Sequence, residues 1–278
     1  MAERRRYGWA FIDLAALGVN SARSYYTAFL RITLLPIACA AVLAFAVPGA
    51  GALQQYPPIV VAGIAVVWSV SRGHRRPWRS LIAPDLRIDV RRLLIGIGVE
   101  FALVGGQLAL LHLLTGWPWR FALSQAWPLF VLTLCLIPLQ AASEEALFRG
   151  YLTQALGRRI RSRCAIAIIV ALLFGAMHLS AYGPLTVPYF FVLSLIYSLV
   201  SLRDDRLELA IGGHAAMNVS AHIAANTSLI GAGVIGGQPA VAMPFNAAAV
   251  VALAVHGAIY YGLTRLLVRL LCRPGAAT

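Results

Sequence analysis

The residues Ala141 to Gly150 read AASEEALFRG, placing Glu144, Glu145 and Arg149 within two helical turns in a chain with only 12% charged residues. The run before them, FVLTLCLIPLQ, has the composition of a membrane helix. A charge at bilayer depth costs about 3 kcal/mol even on lenient scales, so each such group needs a partner or a task. Glu145 and Arg149 stand i,i+4 in the order that favours a helical ion pair. That pairing would neutralise Arg149 and leave Glu144, about 100° further round the helix, to face a cavity. A structural ion network that locks helix packing is the plainer reading of the same residues.

Further along, FGAMH places His178 one turn after Phe174, and HAAMN places His214 and Asn218 on one helix face. The link between the helices bearing Glu144 and His178 centres near Ile160. In an antiparallel hairpin the two side chains therefore lie at similar depth and can meet. A lone membrane histidine is usually a hydrogen-bonded core residue, and HxxxN alone reads as interhelical hydrogen bonding. A carboxylate, two histidines and an amide from three helices can instead hydrolyse an amide. Glu144 would take a proton from water while His178 positions that water. His214 and Asn218 would donate to the oxyanion formed on the scissile carbonyl, worth about 3 kcal/mol per donor. Two histidines and a glutamate could also hold Zn²⁺ with one position open. The residues alone leave both mechanisms standing.

Other hydrolase patterns are missing. The sequence has no HExxH and no GxSxG, and its adjacent Asp204 and Asp205 fall in a loop. Glu100, His112 and His256 lie outside the constellation and read as structural. The four cysteines, Cys39, Cys135, Cys164 and Cys272, lie in or beside apolar runs without paired spacing, as packing residues do.

The elements that must position these groups are apolar helices. Of 278 residues 60% are hydrophobic and the mean hydropathy is +0.78, which excludes an ordinary soluble domain. The expected fold is all-α and polytopic, with spans near Phe29–Val47, Ala52–Val70, Leu93–Leu114, Trp127–Leu156, Cys164–Leu179, Pro188–Leu202, Leu207–Leu229 and Met243–Leu263. YGWAFIDLAALG reads as an interfacial helix before the first of them. Basic residues lie before the first span and after the second, fourth, sixth and eighth: 20 of the 23 arginines, against Arg120 alone on the opposite side. That asymmetry predicts eight spans with both termini cytoplasmic, and it accounts for the net charge of +13 without nucleic acid. The partners expected are the lipid bilayer and a membrane-associated peptide or protein. Oligomeric state is left open.

Taken in order, EExxxR (Glu144, Glu145, Arg149), FxxxH (Phe174, His178) and HxxxN (His214, Asn218) resemble the CPBP family, also called Abi or type II CAAX prenyl endopeptidases. The resemblance covers roughly Trp127 to His222, and SEEALFRGYL is similar to the family's first motif in detail. It implies an eight-helix intramembrane protease whose site opens toward the cytoplasm. By that resemblance Glu144 and His178 activate water, His214 and Asn218 form the oxyanion site, and Glu145, Arg149 and Phe174 support them. The family has been described both as metalloproteases and as metal-independent glutamate proteases. An amide in HxxxN, where a third strong ligand would be expected, favours the metal-independent form, with Zn the alternative cofactor. The division expected is 1–126 for the interfacial helix and three spans, 127–229 for the catalytic core, and 230–278 for the last span and basic tail. Eukaryotic members cleave three residues from prenylated CAAX proteins, whereas bacterial ones are linked to bacteriocin maturation, immunity and envelope functions. The arginine-only chain looks bacterial, so a bacterial cytoplasmic membrane is expected and prenyl-protein processing is not assigned. Two competing readings are a non-catalytic scaffold or bacteriocin-immunity protein on the same fold, and a proton-relay transporter. The latter is disfavoured by the lack of inverted repeats.

Overall fold

The structure is a computed structural model that describes residues 9–49, 52–116, 127–226 and 247–272. Arg4, Arg5, Arg6, Arg120, Gly231 and Arg273, on which part of the topology expectation rests, lie outside the described residues. So do the ends of the last two expected spans, Thr227–Leu229 and Met243–Asn246. Among the described residues the fold is helical throughout, without strands.

The helices are α1 (Trp9–Asp13), α2 (Ala22–Ala46), α3 (Ala52–Trp68), α4 (Val90–Thr115), α5 (Trp127–Glu145), α6 (Thr153–Gly157), α7 (Arg163–Met177), α8 (Leu179–Tyr182), α9 (Val187–Asp204), α10 (Glu208–Asn226) and α11 (Ala247–Leu271). Helix α5 runs through a π-helical segment, Ala146–Leu152, into α6. A helix lies on each stretch expected to span. Among the described residues, five helices are by length and composition long and apolar enough to cross a membrane: Ala22–Ala46, Val90–Leu114, Phe130–Gly157, Pro184–Asp204 and Ala247–Leu271. Phe45, Leu113, Leu114 and Leu185 are each at least three-quarters exposed, an apolar surface suited to lipid rather than water.

Local sequence sets the helix ends. Ser21, Asp89 and Ser162 each precede a helix and accept from a backbone N–H of its first turn. Gly116 ends α4 in the left-handed conformation, at φ +66°. In the bundle α4 packs on α10, α7 on α9, and α5 against both α3 and α10. Gly96 on α4 meets the Leu209 carbonyl of α10, and Gly212 on α10 meets the backbone of Leu93 and Ile97. A side chain at either glycine would force these helices apart. Gly213 lies equally close to the Tyr260 hydroxyl, which donates to the Leu209 carbonyl at 2.6 Å. The pair Gly212–Gly213 thus seats α10 against α4 and α11 immediately before His214.

At the N-terminus, one side of α1 and of the 3₁₀ turn after it packs on protein, while Asp13, Ala16 and Leu17 are exposed. Phe11 and Ile12 are fully buried, with Ile12 against Gly157 and Phe11 clustered with Leu207. Small Gly157 creates the seat, which hydropathy along a single segment does not reveal.

Charged groups gather where α4 and α10 begin and α9 ends. Arg92 bonds Asp89 and Asp204, and Arg206 bonds Asp85 and Glu208. Burial pushes the Asp85 carboxyl up, but hydrogen bonds from Arg206 and the Arg87 N–H, with the Arg206 charge, outweigh it and hold the group below its ordinary range. All four cysteines are free, with Cys135 and Cys164 exposed.

Candidate active site

The π-helical segment begins immediately after Glu145, and π turns inside α-helices recur at functional sites. It carries Arg149 on the same chain face as Glu145, with both side chains almost fully buried. Arg149 Nη1 donates to Glu145 Oε1 at 2.9 Å, so the i,i+4 pair read from the sequence is formed. Arg149 Nη2 donates to the Ser194 carbonyl of α9 at 3.1 Å. Its guanidinium lies over the Phe174 ring, 4.6 Å from the centroid. A buried cation is thus held by a carboxylate, a carbonyl and an aromatic face.

His214 reaches the same carboxylate from α10. Its Nδ1 lies 2.8 Å from Glu145 Oε1 and its Nε2 lies 3.5 Å from Glu144 Oε2. Glu145 as a carboxylate can only accept, so it fixes the proton of His214 on Nδ1. The other nitrogen is left facing Glu144. Tyr197 stacks on the imidazole at 5.4 Å and holds its plane.

His178 caps α7 and turns its Nδ1 back to the Phe174 carbonyl at 2.8 Å. A carbonyl only accepts, so Nδ1 carries the proton and the neutral ring presents a lone pair at Nε2. Phe190 stacks on this ring at 3.8 Å, and Tyr182 stacks at 6.1 Å. Phe174 therefore serves twice, through its ring against Arg149 and its carbonyl against His178. Glu144 and His178 share no hydrogen bond in this arrangement. Asn218 Nδ2 donates to Gln140 Oε1 at 3.0 Å, which leaves its second N–H for another acceptor.

The structure brings Glu144, Glu145, Arg149, Phe174, His178 and His214 into one connected cluster, with Asn218 one turn from His214. Sequence reasoning missed Gln140, Tyr197 and Phe190. Gln140 precedes Glu144 by four residues and so shares its helix face, a signal present in the sequence. The two aromatics sit in apolar runs and carry no such mark. Among the described residues, no three His, Cys, Asp or Glu side chains converge closely enough to hold a metal ion. Glu145 Oε1, the carboxylate oxygen nearest His214, is already shared by Arg149 and His214. Outside the cluster, Glu100 Oε1 meets His256 Nε2 at 2.9 Å and Gln107 Nε2 meets its Nδ1 at 3.1 Å, binding α4 to α11. His222 stacks on Phe130 at 5.4 Å.

Fold and site together define a multi-pass helical membrane protein with a buried carboxylate, arginine and histidine cluster where α5, α7, α9 and α10 meet. Residues 124–220 match the family described as type II CAAX prenyl endopeptidase Rce1-like, in agreement with the three motifs. The chain is also 28% identical over 153 residues to the uncharacterized protein YyaK of Bacillus subtilis (strain 168), covering 52% of this chain. It spans about half of that relative, 51% of its length.

Proposed function

We propose that this chain is an intramembrane endopeptidase that hydrolyses a peptide bond of a membrane-associated protein or peptide. The observation that carries the reading is His214 held between two glutamates, at 2.8 Å and 3.5 Å, with Arg149 neutralising the inner one. The matched family supports the same class of reaction. Glu144 accepts a proton from water, and the water oxygen attacks the carbonyl carbon. His178 Nε2, an acceptor, orients that water. Negative charge passes to the carbonyl oxygen, which takes hydrogen bonds from protonated His214 Nε2 and the second N–H of Asn218. As the C–N bond breaks, Glu144 returns the proton to the amine. Residues 127–229 would form the catalytic core, with 1–126 and 230–278 supplying flanking spans and access. A cleavage assay on membrane-anchored reporter peptides in proteoliposomes, run with Glu144→Gln beside the unaltered chain, tests the reading.

This mechanism has no metal in its steps. Activity of the purified protein is expected to survive EDTA, phenanthroline and metal-free dialysis. Reversible loss that stoichiometric Zn²⁺ restores would instead establish a metalloprotease.

The proposed topology has eight spans and both termini in the cytoplasm. It is supported by the arginine distribution and by the ion pairs of Arg92 and Arg206 gathering at one end of the bundle. With the native cysteines removed, Arg75→Cys and Arg161→Cys are expected to resist an impermeant thiol reagent in intact cells. Thr115→Cys and Gly231→Cys are expected to react. Labelling at position 161 from outside would overturn the arrangement.

A further inference from the structure

On the far side of α9 from the cluster lies a cleft of about 930 Å³ between α9 and α11. Its walls are apolar, with Val192, Leu195 and Leu199 on one side and Ala254, Ala258 and Tyr261 on the other. One end is different. Arg163, Arg203, Arg265 and Arg269 converge there from the start of α7 and the ends of α9 and α11. Arg203 lies over the Tyr261 ring at 5.2 Å, and Arg203, Arg265 and Arg269 have no ion-pair partner among the described residues. The acid at this rim, Asp204, is engaged by Arg92. The end is therefore strongly positive.

Length decides between occupants. From Ala254 to Arg269 the wall of α11 runs about 22 Å, and from Val192 to Arg203 that of α9 runs about 16 Å. The hydrocarbon of one leaflet is about 15 Å deep, half of a bilayer core. A cleft with apolar walls one leaflet deep and arginines at its mouth matches one kind of molecule, with acyl chains below and an anionic phosphate above. Arginine forks meet phosphate oxygens in pairs. A soluble acidic peptide would satisfy the arginines and waste the apolar walls, and a neutral lipid would do the reverse. Leu199 on α9, with Val255 and Ile259 on α11, is about half exposed, leaving the cleft flanked by surface suited to lipid. On α11 the small residues leave the space. Gly257 touches Ile196, and Ala258 is exposed.

We propose that the cleft between α9 and α11 is a binding site for an anionic phospholipid of the cytoplasmic leaflet, its phosphate held by Arg203, Arg265 and Arg269. This site is separate from the catalytic cluster, and its test does not depend on protease activity. It uses the full chain purified in detergent. Native mass spectrometry and thermal melts are recorded with added phosphatidylglycerol, phosphatidylcholine or inorganic phosphate. Phosphatidylglycerol is expected to stay bound and to raise the melting temperature saturably, and the other two are not. Each arginine beside an anionic headgroup is worth roughly fivefold in affinity, so Arg203→Gln/Arg265→Gln/Arg269→Gln is expected to weaken phosphatidylglycerol binding on the order of 100-fold. Ala258→Trp, at an exposed position, fills the cleft without touching the charges. It is expected to abolish retention while melting as the unaltered chain does without lipid, and it decides the matter if the triple variant fails to fold. Equal retention of phosphatidylcholine, undiminished binding by Ala258→Trp or by a folded triple variant, or a shift reproduced by inorganic phosphate alone would each overturn the proposal.

Discussion

Glu144→Gln is expected to lower turnover by at least about 100-fold, the low end for removing a general base. Folded yield and melting temperature should stay close to those of the unaltered protein. The reasons are local. Glutamine keeps the volume and can still hydrogen-bond, but at neutral pH it does not take a proton from water. His214 loses only the longer of its two contacts, 3.5 Å, and keeps the 2.8 Å bond to Glu145. A neutral amide is also cheaper to bury than a carboxylate. Asn218→Ala should fall between the two proteins, because it deletes one oxyanion donor while the fold loses only the bond to Gln140. Full cleavage activity in Glu144→Gln would sink the general-base mechanism. Full biological activity of that variant in cells, without cleavage, would leave the chain as a scaffold or immunity protein.

The legibility of the site depends on how each residue declares itself. Glu144, Glu145, Arg149, His178 and His214 are conspicuous because polar groups in apolar runs are costly. Spacings of four residues then sort them onto helix faces by sequence alone. What periodicity does not supply is sharing. The sequence pairs Glu145 with Arg149, yet the same carboxylate also accepts from His214 at 2.8 Å, across 69 residues of chain. Phe174 is legible only as part of a spacing. Its carbonyl bond to His178 is backbone geometry at a helix end, which side-chain patterns do not encode. The π segment is equally hidden, since one wide turn hardly disturbs hydropathy. For the fold, eight apolar stretches mark the helices because length and hydropathy are properties of single segments. The burial of Ile12 escapes such a reading because it depends on Gly157, a partner 145 residues away.

Glu145→Gln is expected to cost about 3–5 kcal/mol of stability, because it leaves the Arg149 guanidinium buried without its counter-ion. Both side chains are almost completely inaccessible, so water cannot replace the lost partner. The Ser194 carbonyl and the Phe174 ring remain, but neither carries the neutralising charge. Loss of folded protein from detergent extracts and a lowered melting temperature are the readouts. A second variant separates stability from chemistry. In Glu145→Gln/Arg149→Met the charge pair is gone from both sides, and replacing both members of a buried ion pair by neutral groups is often close to neutral for stability. The double variant should therefore recover most of the yield. It should remain at least about tenfold slow, since the amide can present an N–H to His214 Nδ1 and reverse its tautomer, as happens when the carboxylate of a catalytic triad becomes an amide. Recovery of both yield and full turnover would show that Glu145 only neutralises Arg149 and does not orient His214. Failure of the double variant to recover any yield would place the instability elsewhere, in the packing of Phe174 and Tyr197 around the guanidinium.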